Sequence, residues 1–205
     1  MANYNMASML KQVGGPVTVS SVLIPTSMLK QDTVDAIRNA AVVAAVNKAS
    51  ELWGSGQKLT IRDLDGTAMS YTNNIMTETS NATANAWNAM AFGAFTVPTA
   101  TVIAIYGIIL SAPWSATVVQ LPITGIRIDV GGSRHAQWNV QCLDRQSIAA
   151  SSIPTEGIAG VTRSPVIVAE DITVTIYEYT RFASDAYDPV WLGVAIEKEG
   201  VTLKP

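Results

Sequence analysis

The chain has 205 residues, of which 48% are hydrophobic and only 14% charged, with a net charge of −3. That much apolar side chain offsets the ordering entropy that keeps polar, highly charged chains unfolded, and the length suits one core. Its thirteen basic residues are scattered, so the clustered positive charge that phosphate backbones require is missing and direct nucleic-acid binding is not expected.

Residues 1–16 read as an N-terminal arm that leaves through Gly14-Gly15-Pro16. The arm lacks a basic segment followed by an apolar core, so it does not read as a secretory signal. Residues 17–205 are expected to form a single domain. Val17 to Ile24 alternates loosely and suits a short strand. After Pro25 the period changes to that of a helix over 32–53, with Asp32 as its cap, Val34, Ile37, Ala41, Ala44, Ala45, Ala49 and Leu52 as its periodic positions, and Gly54-Ser55-Gly56 as its stop. The Ala-rich face allows close packing on a sheet or on a partner helix.

From Lys58 onward the period is two. Leu59 and Ile61 open a strand, and Thr101 to Tyr106 resumes the pattern. The apolar span Ala89 to Leu110 is long enough to cross a bilayer, but Gly93, Pro98, Gly107 and the threonines at 96, 99 and 101 suit strands and turns better than a membrane helix. Ile126, Ile128 and Val130 alternate with Arg127 and Asp129; after Gly131-Gly132, Ala136, Trp138, Val140 and Cys142 alternate with Gln137, Asn139 and Gln141. That is a hairpin with one wet face. A loop is expected over 146–165, then strands at Val166 to Val168, Ile172 to Tyr179 and Val190 to Glu197. Eight or nine strands without βαβ alternation predict an all-β, antiparallel jelly-roll sandwich carrying one helix near its N-terminus.

Few residues offer chemistry. Cys142 is the single cysteine and His135 the single histidine, which rules out an intrachain disulfide, cysteine zinc sites and two-histidine metal sites. His135 falls in the hairpin turn, where a solvated imidazole is expected. Asp63-Leu64-Asp65-Gly66-Thr67 resembles the DxDGT signature of haloacid-dehalogenase-like phosphatases. That resemblance implies Asp63 as nucleophile, Asp65 as acid and base, Mg²⁺ as counter-charge, and a remote acidic pair for which Glu170-Asp171 is the candidate. The family's motif ends a strand of a parallel α/β fold, however, and the antiparallel pattern here makes a polar turn the expected role. The stretch is also half a calcium loop without its closing ligands. Asn81-Ala82-Thr83 matches the glycosylation pattern. Trp87, Trp114, Trp138 and Trp191 would either pack in the sandwich or line a carbohydrate groove. No catalytic, cofactor-binding or metal site is nominated, and no cofactor is expected.

Phe95-Thr96-Val97-Pro98 leading into Val102 to Gly107, the Ile123 to Ile128 strand, Trp138-Asn139-Val140-Gln141, Ser164 to Val168, Ile172 to Tyr177 and Trp191 to Gly200 together resemble the upright, single jelly-roll major capsid proteins of icosahedral, often membrane-containing, bacterial and archaeal viruses. The resemblance covers roughly residues 95–205. It implies a non-enzymatic shell subunit of the virion that assembles with copies of itself in capsomers, alongside other capsid proteins and an internal viral membrane where these exist. The helix over 32–53 departs from the simplest form of that pattern. A filament or surface-layer subunit, or a carbohydrate-binding module, is the alternative for a sandwich of this composition. The low charge fraction, against an average of about a quarter, fits either a surface covered by neighbours or one built from Thr, Ser, Asn and Gln.

Overall fold

The computed structural model describes residues 21–25, 30–64, 78–111, 122–139 and 158–199. Ten strands and one helix follow in order: β1 (Ser21–Pro25), α1 (Gln31–Trp53), β2 (Leu59–Asp63), β3 (Glu78–Thr79), β4 (Ala86–Thr96), β5 (Thr101–Ser111), β6 (Ile123–Val130), β7 (Ser133–Asn139), β8 (Ile158–Val168), β9 (Thr173–Thr180) and β10 (Ala186–Lys198). The arm over 1–16, Val140, Cys142 and Trp114 lie outside the described residues.

All pairings are antiparallel. One sheet runs β1-β8-β5-β10-β2, with β3 attached to β10, and the other runs β4-β9-β6-β7. Four of the pairs are nested in sequence: β6 with β7, β5 with β8, β4 with β9 and β2 with β10. They fall alternately into the two sheets, as they do when one long hairpin is rolled up around itself, and that is the jelly-roll order. The turn of the hairpin is Gly131-Gly132, both at positive φ. β1 and β3 are additions to the eight-stranded roll.

The core lies between the sheets. Alternation in β9 turns Val174 and Ile176 inward and Thr173, Thr175 and Tyr177 outward, and Ile126, Ile128, Ala136 and Trp138 face inward as the hairpin pattern requires. Val130 is half-buried against the same core. The Ala89 to Leu110 span forms two strands, β4 and β5, joined by a short turn at residues 97–100. β5 and β10 read as nearly continuous apolar runs because both of their faces are covered, one by the opposing sheet and the other by α1.

α1 closes the outer face of the larger sheet. Ala41, Ala45 and Ala49, a stripe at i, i+4, i+8, are at most 1% exposed and sit on Val102, Ala104, Tyr106, Val194 and Ile196. The small side chains permit the close approach, so the Ala-rich face serves the chain's own sheet. The helix begins one residue earlier than expected, and its N-cap is Lys30, not Asp32. Asp32 already has helical geometry, so its carboxylate favours the first turn electrostatically without capping it. Gly54 ends the helix at φ 86°, donating its N–H to Ser50 O.

Several expected boundaries shift. β1 begins at Ser21 and takes in Pro25, with 17–20 outside the described residues. Residues 158–165, expected in a loop, belong to β8, where a four-residue irregularity opposite Tyr106 accommodates Pro165 between two paired stretches. Ile172 sits in the turn before β9, and the last strand starts at Ala186 instead of Val190.

The two ends of the roll differ. Short turns at 97–100, 131–132 and 169–172 share one end, and Ser111, Ile123, Asn139 and Ile158 lie at the other, beside the 181–185 turn.

Candidate functional site

Asp63 is the last residue of β2, and its neighbour Leu64 is buried at 2%. Arg38 of α1 donates its Nε–H to Asp63 Oδ1 at 2.6 Å, which pushes the guanidinium pKa up. The parallel α/β frame required by the phosphatase signature is replaced by an antiparallel roll. Asp63 therefore ends an edge strand instead of forming a turn, ties strand to helix, and the residue with a core role is Leu64. Asp65, Gly66 and Thr67 lie outside the described residues.

Glu170 and Asp171, the candidate acidic pair, occupy the short-turn end. The Trp53 indole N–H donates to Glu170 Oε1 at 3.0 Å, and the Ala100 N–H donates to Oε2. These two donors hold the Glu170 carboxyl below the usual glutamate range. Asp171 adopts φ 61° and accepts from Thr99 Oγ1 at 3.1 Å, while its N–H donates to Val97 O. Together they bind the C-terminus of α1 and two turns into one bracket.

At the opposite end lies a cluster that no sequence motif marks. Glu178 is 1% exposed and points into the sandwich from β9. It accepts from the Asn81 N–H at 2.6 Å, from the Thr180 hydroxyl at 2.9 Å and from the Tyr187 hydroxyl. Next to it, the Ser80 hydroxyl donates to Phe182 O at 2.6 Å and accepts from the Asp185 N–H at 3.0 Å. The strand parity of β9, which puts Glu178 on the same face as Val174 and Ile176, is the sequence signal for this group. The Asn81-Ala82-Thr83 pattern forms an Asx-type bend, with Asn81 Oδ1 accepting from the Thr83 N–H at 2.9 Å.

The outer face of the four-stranded sheet carries Trp87. Trp138 and Trp191 are buried. Trp87 lies outward, meets Tyr179 edge-on at a centroid distance of 5.5 Å, and extends over Gly125, where a Cβ would stand 2.9 Å from the indole. Arg127 stacks 4.1 Å from the Tyr177 ring and 5.3 Å from Trp87, and it pairs with Asp129 at 3.0 Å. The wet face of the hairpin is therefore a cation–aromatic cluster. Ala89, Ala94, Thr96 and Thr173 extend it as an exposed, uncharged surface. No described element packs on this face.

His135 is exposed in β7, opposite no partner where the β6–β7 register shifts. Among the described residues no three His, Cys, Asp or Glu side chains are placed to hold a metal ion, and no helix is long and apolar enough to cross a membrane. A scan of protein-family models finds none that matches the chain, and a search of curated proteins finds no match to its sequence.

Proposed function

We propose that the chain is a structural shell subunit, a jelly-roll capsid protein that assembles with copies of itself and acts in a virion, not an enzyme. The observation that carries this reading is the nested, rolled-up ribbon of eight strands in two sheets, an architecture that viral capsid domains use. The described acids fit the same reading, because Glu170, Glu178 and Asp63 each brace one part of the scaffold to another. The low charge fraction fits a surface that neighbours cover.

Jelly rolls also occur in lectins, and the Trp87, Tyr177, Tyr179 and Arg127 face favours a carbohydrate-binding module as the second reading. Light scattering and negative-stain micrographs of the purified protein separate the two. Closed shells, rings or extended lattices are expected; a monodisperse monomer at every concentration, binding a neutral polysaccharide through Trp87, would replace the shell reading with the second.

A further inference from the structure

We draw no further inference here: the strongest candidate, the cluster of Trp87, Tyr177, Tyr179 and Arg127 on the outer face of the four-stranded sheet, already carries the second reading of function, and nothing in the structure shows what covers it.

Discussion

Leu64 converts an apparent catalytic motif into a packing device, and a double-mutant cycle with Gly193 measures it. Leu64 follows Asp63 at the end of β2 and is 2% exposed, its N–H donating to Gly193 O at 2.9 Å. A Cβ at Gly193 would fall within the van der Waals envelope of Leu64 Cδ1 and 2.9 Å from Ala104 O. Leu64→Ala is expected to cost about 3 kcal/mol, the sum of lost transfer energy and a residual cavity. Gly193→Ala is expected to cost about 2 kcal/mol, as overpacking does. Combining them removes the side-chain clash and fills part of the cavity while leaving the contact with Ala104 O. The double variant should therefore lose less than the sum by about 1 kcal/mol or more. Urea denaturation at a concentration where the protein is monomeric, with unchanged m-values, reads all three. Asp63→Asn in the same assay should lose under about 1 kcal/mol, since its partner bond with Arg38 is exposed. Additivity within about 0.3 kcal/mol, or a Leu64→Ala cost below about 1 kcal/mol, would refute the wedge.

Trp138→Ala should cost about 3–5 kcal/mol by the same measurement, since the ring is buried and lies against Gly160 in the opposing sheet; a loss near 1 kcal/mol would put the ring outside the core. Glu178→Ala strands three donors and should destabilise by on the order of 3 kcal/mol, with Tyr187→Phe, which removes one donor, costing about 1 kcal/mol; hydrogen exchange should show the loss first at the Asn81 amide. Glu170 has a folded pKa below its unfolded one, so its contribution is present above the ordinary glutamate range and is lost as pH falls through the depressed value. Acid titration of stability should accordingly be shallower in Glu170→Gln than in wild type, and identical slopes would remove the bracket from the account.

The fold was legible where one face of a strand is wet. The Ile126 to Trp138 hairpin, its Gly-Gly turn and the inward and outward parities follow from period-two alternation alone. Legibility failed where both faces are buried, because β5, β10 and the start of β8 show no alternation to mark their ends. The helix was legible from its alanines and its glycine stop, but its start was misplaced because an acidic residue favours both the cap and the first turn. Asp63 and Asp65 stand out in the sequence as a pair, whereas Leu64 between them is a wedge only because β2 lies beside β10. Glu178 was within reach of parity, but its partners Asn81 and Tyr187 come from distant segments, and no local pattern announces them.

The nested pairing has a kinetic consequence. The innermost pair, β6 with β7, closes over a two-residue turn, but each pair outside it must join segments further apart, and β2 meets β10 across more than a hundred intervening residues. Loop-closure entropy favours growth from the inside outward, so high contact order makes completion slow. β10 comes after every other described strand in chain order and forms, with β5, the floor on which α1 stands. The helix, though it precedes the roll in sequence, therefore completes its docking only when the final strand is in place, and part of its alanine face stays uncovered for that whole interval.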